Sequence, residues 1–245
     1  MPLSAPSLPH PLKYLPMKLS RAFTLVLVLL LAASSHPARA AALTREQRDA
    51  MTPDAIIAVM KEGNARFRRG ERKERNFLAE QQASAQGQYP AAVILSCMDS
   101  RAPAETIMDL GIGDTFNTRV AGNVVNDDII GSIEYGCAVA GAKVVLVLGH
   151  TACGAIKGAI DQVKLGSLTG LLDKVQPAIA ATHYDGEHSS KNYAYVNAVG
   201  RKNVELAVAE IRKRSAVLRE LEAAGKIKLV GAVYNLETAE IEFLP

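Results

Sequence analysis

The sequence predicts an α/β fold with a central, mostly parallel β-sheet flanked by helices. Two observations carry that prediction. Ala91–Leu95 and Val144–Leu148 are continuous apolar runs of strand length, the pattern of strands covered on both faces. Stretches of helical spacing alternate with the strand-like ones, the chain order that builds a parallel sheet.

The elements follow in order. Thr52-Pro53-Asp54 is a helix start, with Thr as N-cap and Pro at the first helical position. Ile56, Ile57, Met60 and Phe67 then recur near helical period as far as Gly70. Residues 71–88 are polar and hold a short helix; the stretch 45–88 has the amphipathic, Arg-rich character of either an N-terminal helical arm or helices packed on their own domain. Ala91–Leu95, bounded by Pro90, is a buried strand. A short helix over 104–110, a second strand over 114–119 and a helix over 126–140 come next. The strand over 143–148 is followed by helices over 152–163 and 169–183. A polar loop at 186–191 leads into a long amphipathic helical stretch, 192–224, which Gly225 closes. Strands at 227–234 and 240–243, joined by a short turn, end the chain.

Composition narrows the function class. Hydrophobic residues make up 49% and charged residues 22% of the 245, ordinary for a globular fold. A net charge of +3 gives no basis for nucleic-acid binding. Three cysteines rule out a complete disulfide framework and direct attention to a metal or a catalytic thiol.

The N-terminal region reads as a processing segment. Met17–Arg21 is basic, Ala22–Ala33 is apolar, and Ala38-Arg39-Ala40 is a small-x-small cleavage signal. That order defines a secretory signal peptide over 17–40, and the apolar run falls short of the roughly 20 residues that span a bilayer. Residues 1–16, with five prolines, form an upstream extension. The expected mature chain, 41–245, is one exported domain, periplasmic in location, with no membrane span.

Two segments carry chemistry. Cys97-Met98-Asp99-Ser100-Arg101 follows the first buried strand, and His150-Thr151-Ala152-Cys153-Gly154 follows the strand over 143–148. Sites in open α/β sheets lie beyond the carboxyl ends of strands, so neighbouring strands would bring Cys97, His150 and Cys153 to one point. Two thiolates and an imidazole suit zinc, and three protein ligands leave a fourth position open. A Cys97–Cys153 disulfide is the competing arrangement in an exported protein. Asp99 admits two roles, fourth ligand or neighbour of the metal. Arg101 offers a fork that fits its carboxylate, either to hold it off the metal or as an ordinary salt bridge. Cys137 reads as a buried small hydrophobe.

C-x-D-S-R followed some fifty residues later by H-x-x-C-G resembles the active-site signature of β-carbonic anhydrases, over roughly 50–245. Gly113-Asp114, Phe116 and Arg119–Asn123 match the same family pattern. The resemblance implies the β-carbonic anhydrase fold, with one Zn²⁺ held by Cys97, His150 and Cys153. It also implies that Asp99 and Arg101 form a catalytic dyad orienting a zinc-bound hydroxide that hydrates carbon dioxide to bicarbonate. It places a substrate pocket at Gln88, Phe116, Tyr135 and Gly154. Arms that embrace a partner, and a pocket at the interface, make a homodimer or dimer-based oligomer. Ile94 stands where the family's other branch carries Trp, which places the chain in the plant-like branch. Ala121 departs from the bulkier apolar residue of some relatives. No residue is identifiable as a proton shuttle; His183 and His188 lie outside both motifs. Hydrolysis of carbonyl sulfide or carbon disulfide, and a non-catalytic zinc-binding role, are the competing readings.

Overall fold

The computed structural model describes residues 42–245, so the signal-peptide segment and the extension before it lie outside the described residues. Its five strands are β1 (Ala92–Ser96), β2 (Thr115–Arg119), β3 (Val144–His150), β4 (Lys228–Tyr234) and β5 (Ile241–Phe243). They lie in the order β2-β1-β3-β4-β5; all pairs are parallel except β4 with β5. The chain moves outward from β1 to β2, then returns past β1 to β3 and continues the other way. The sheet therefore reverses its winding between β1 and β3, and a crevice opens at their carboxyl ends.

Every residue of β1 and β3 is buried. The two-residue period of a strand deals them to opposite faces. Ala92, Ile94, Val144 and Leu146 pack on one side against Ile56 and Met60 of α2 (Pro53–Arg69) and Ile107 of α4 (Ala104–Ile107). Val93, Leu95, Val145 and Val147 pack on the other against Ile133 of α5 (Asp127–Glu134) and Val204, Val208 and Ile211 of α9 (Tyr193–Arg214). Helices on both faces explain why these strands carry no polar alternation.

Helix ends follow their local chemistry. The Thr52 side chain accepts from Ala55 N–H at 3.1 Å, and Gly70 closes α2 at φ 71°. Two expected helices are each broken in two. The segment read as 169–183 forms α7 (Gly166–Asp173) and α8 (Gln176–Ala181), with Pro177 in the first turn of the second. The stretch read as 192–224 forms α9 and α10 (Ala216–Ala223), divided at Ser215, whose hydroxyl caps α10 by accepting from Leu218 N–H at 3.1 Å. The helix expected over 126–140 runs as α5 and then one turn of π-helix, Tyr135–Val139.

Much of the arm packs on its own chain. Arg48 of α1 (Arg45–Ala50) is buried and donates to the Ala140 carbonyl, and Lys143 Nζ donates to the Asp49 and Met51 carbonyls at 2.7 Å each. Gly63 of α2 lies so close to the Met108 carbonyl that a Cβ there would stand 1.9 Å from the oxygen. Next to α3 (Phe77–Ser84), Arg75 pairs with the buried Glu80 at 3.1 Å, and Glu80 also accepts from Ile112 N–H at 2.9 Å.

Candidate active site

The crevice between β1 and β3 gathers the two motifs. Register pairs Ser96 with Leu148, so Cys97 and the Gly149–His150 end of β3 leave the sheet side by side. Cys153 follows at the start of α6 (Gly154–Ile160). One ligand atom from each of Cys97, His150 and Cys153 lies within 4.8 Å of the others, and all three residues are buried. The two sulfurs are 3.9 Å apart. A disulfide needs about 2.05 Å, whereas two thiolates at about 2.3 Å from a tetrahedral ion stand about 3.8 Å apart. The spacing fits a shared metal and not a bond between the sulfurs; all three cysteines are free.

The histidine supports the same conclusion. Its Nδ1 lies 2.9 Å from the Thr151 carbonyl, which fixes Nδ1 as the protonated nitrogen and leaves a lone pair on Nε2. Nε2 is buried with no hydrogen-bond partner. An orphaned buried acceptor beside two thiols is explained by a cation between them. The donor set fits zinc.

The two thiols stand within hydrogen-bonding reach of each other, 3.9 Å between the sulfurs. The Cys153 hydrogen bond is the main reason that the Cys97 thiol falls to about 4, against the burial that raises it. The His150 ring and the backbone N–H of Gly122, 3.3 Å from the sulfur, lower it further. Cys153 is pushed up by its hydrogen bond with Cys97 and by burial. Cys137, buried among the apolar residues behind Val93, is pushed up to about 12 by burial alone; it is an inert core thiol.

Asp99 is pinned rather than free. Arg101 donates to it three times: backbone N–H to Oδ1 at 2.9 Å, Nε to Oδ1 at 3.0 Å and a terminal nitrogen to Oδ2 at 2.7 Å. The Arg101 side-chain bonds are the main cause of a carboxyl held at about 2, against partial burial. Oδ2 lies 3.7 Å from His150 Nε2, so the carboxylate faces the metal position from the arginine's side.

Groups outside the two motifs hold them in place. Arg119, at the end of β2, donates through Nε to the Cys97 carbonyl at 3.1 Å and through a terminal nitrogen to the Asp99 carbonyl at 2.5 Å. Ala152 takes a left-handed conformation, φ 54°, and its N–H donates to Asn197 Oδ1 of α9 at 2.8 Å. That single reversal lets His150 and Cys153 face one point. Arg119 belongs to a recognisable sequence stretch, but nothing in it reveals a clamp on the loop after β1. Asn197 carries no local signal at all.

The cleft beside the dyad is lined by Asp99, Arg101, Gly154, Lys157, Tyr193 and Asn197, among others. Gly154, which the resemblance assigns to the substrate pocket, lines this cleft. Gln88, Phe116 and Tyr135 line no part of this cleft. Phe116 pairs with Val93, four residues before Cys97, and its ring meets Tyr135 edge-on at 6.1 Å between centroids. Gln88 is exposed in a separate groove with Ser84, Ile112 and Gly113.

Comparison with known proteins agrees with this geometry. A family model described as carbonic anhydrase matches residues 92–241. Carbonic anhydrase 2 of Mycobacterium tuberculosis is 35% identical over 191 residues, 76% of this chain and 89% of that one. A carbonic anhydrase of Pseudomonas aeruginosa is 31% identical over 190 residues, 75% of this chain and 85% of its own. Among solved structures, one of two tetrameric β-carbonic anhydrases of Sordaria macrospora aligns with a TM-score of 0.58 at 26% identity, over 65% of this chain and 83% of that one.

Proposed function

The chain belongs to the β-class carbonic anhydrases, and from that membership we propose that the cleft at the β1–β3 reversal interconverts carbon dioxide and bicarbonate. The carrying observation is the convergence of Cys97, His150 and Cys153 within 4.8 Å beside a carboxylate that Arg101 pins. Bound there, zinc supplies a water acid enough to ionise near neutral pH, a property known from carbonic anhydrases with three histidine ligands.

The chain's own residues supply orientation. Arg101 occupies both oxygens of Asp99, so the carboxylate has no freedom to turn into the ligand set. Its charge persists at every physiological pH, because the group titrates near 2. Asp99 is therefore an obligate acceptor: it takes a hydrogen bond from the attacking oxygen and turns that oxygen's lone pair toward the substrate carbon. It is too acidic to store the released proton, which has to leave by another route.

The remaining pocket residues extend the proposal to assembly. Gln88, Phe116 and Tyr135, assigned to the substrate pocket, sit away from their own chain's cleft, and β2 is an edge strand. Phe77, Leu78, Tyr135 and Val139 are large, apolar and exposed. A homodimer, or a multiple of one, that presents these residues to a partner's cleft accounts for both facts. Sedimentation of the zinc-loaded chain at twice the monomer mass or more is expected; a stable active monomer would refute it. Ile94 in place of Trp, together with the pinned Asp99, supports the plant-like branch.

Export to the periplasm is proposed from the order of basic, apolar and A-x-A segments over 17–40. No helix among the described residues is long and apolar enough to cross a membrane. N-terminal sequencing of the accumulated protein should read from Ala41. The activity itself is tested by stopped-flow carbon dioxide hydration with zinc content measured on the same sample. One zinc per chain without hydration at neutral or alkaline pH would overturn the proposal.

A further inference from the structure

The cleft runs on past the dyad. Its volume is about 700 Å³, far more than a triatomic substrate needs when a water takes about 30 Å³. Its wall beyond Arg101 is made by Tyr193, Lys157, Asn197, Asn235 and Glu237. Lys157 lies on α6, one turn after Cys153, and is half-buried. Its ammonium sits over the Tyr193 ring at 3.8 Å from the centroid, and no carboxylate among the described residues pairs with it. A partly buried cation without a counter-ion carries a desolvation cost that a mobile anion can offset. Arg101, Tyr193 and Lys157 line the same cleft. Arg101 spends Nε and one terminal nitrogen on Asp99, which leaves the other terminal nitrogen for a ligand. The carboxylates that line this space are Asp99, whose charge Arg101 balances, and the exposed Glu237.

We infer that Lys157, the free end of Arg101 and the Tyr193 hydroxyl form a small-oxyanion site at the mouth of the cleft, which bicarbonate occupies between the reacting position and solvent. The site discriminates between the two sides of the reaction, since carbon dioxide carries no charge and gains nothing from Lys157. The anion's identity rests on the carbonic anhydrase reading; the existence of the site does not.

The kinetic signature is specific. The equilibrium constant ties kcat/KM for hydration to kcat/KM for dehydration, so a variant that only weakens the bound anion raises KM for bicarbonate and kcat of dehydration together. Lys157→Met in the zinc-loaded protein should raise KM for bicarbonate about fivefold, the scale of one partly screened charge, while kcat/KM for carbon dioxide changes less than twofold. Lys157→Arg should restore the parent KM. Crystals of the zinc-loaded protein soaked in bromide should show an anomalous peak beside Lys157 Nζ, absent in Lys157→Met. Hydration intact with KM for bicarbonate and the bromide peak unchanged in Lys157→Met would overturn the site and leave the enzyme reading standing. No hydration by the parent protein, with a bromide peak that depends on Lys157, would keep the site and overturn the enzyme reading.

Discussion

Replacing Asp99 with Asn tests the dyad at its narrowest point, because it removes one charge and one acceptor while keeping shape. Three Arg101 donors end on the two carboxylate oxygens. An amide has one oxygen to offer them. If that oxygen stays on Arg101 Nε and the backbone N–H, the NH₂ group takes the Oδ2 position, 3.7 Å from His150 Nε2, and presents a donor where an acceptor is required. If the amide turns over, its NH₂ opposes the guanidinium. Losing one preorganised hydrogen-bonding group at the reacting centre costs roughly 10²–10³ in rate, so kcat/KM for hydration should fall about 300-fold, or about 3.4 kcal/mol of transition-state stabilisation. Arg101 is more than half exposed, 57%, so the ion pair adds about 1 kcal/mol or less to folding. Zinc content should remain one per chain and the melting temperature nearly unchanged. Stopped-flow hydration on zinc-quantified protein decides it: a loss smaller than tenfold at full zinc occupancy would refute the role assigned to Asp99.

Other outcomes follow from the same geometry. Cys97→Ser removes a thiolate ligand and should leave well under one zinc per chain by elemental analysis. Chelation of the parent protein should lower its melting temperature by several degrees, since the folded state alone offers a preformed site. Gly63→Ala drives a methyl into the Met108 carbonyl at 1.9 Å and should cost about 3 kcal/mol in urea unfolding, the upper range of overpacking. Glu222 accepts two bonds from Arg212 at 2.8 and 2.9 Å, which hold its carboxyl below the ordinary range. A depressed carboxyl stabilises above its unfolded pKa and loses that stabilisation as pH falls through its folded value. Glu222→Gln should therefore cost about 1 kcal/mol at neutral pH, and the difference should vanish in unfolding measurements well below pH 4.

The strands and the metal ligands were legible because they depend on local features. Buried parallel strands are apolar throughout, and a ligand pair at a strand end needs no long-range knowledge beyond the neighbour relation of β1 and β3. The breaks at Pro177 and Ser215 also have local causes, a proline in a first turn and a serine N-cap, which the continuous apolar periodicity masks. What stayed illegible joins residues far apart in the chain. Arg119 reaches the Cys97 carbonyl across 22 residues and Asn197 reaches Ala152 across 45. The polar stretch 71–88 gives no sign that Arg75 and Glu80 are buried as a pair, since charge in a sequence reads as solvent exposure until a partner is located. Gln88, Phe116 and Tyr135 match a family pattern without disclosing that they stand away from their own chain's cleft.

The left-handed alanine between His150 and Cys153 bears on how the metal arrives. A non-glycine residue at φ 54° costs about 1 kcal/mol, and here the loop adopts that conformation with Asn197 holding it from α9. The folded chain meets that cost and holds the His150 and Cys153 donors toward one point. Glycine in place of Ala152 would ease the backbone but enlarge the repertoire of the unfolded and loosened loop. Loading would then include an ordering step that the alanine makes unnecessary, and metal uptake would slow even though every ligand remained in the chain.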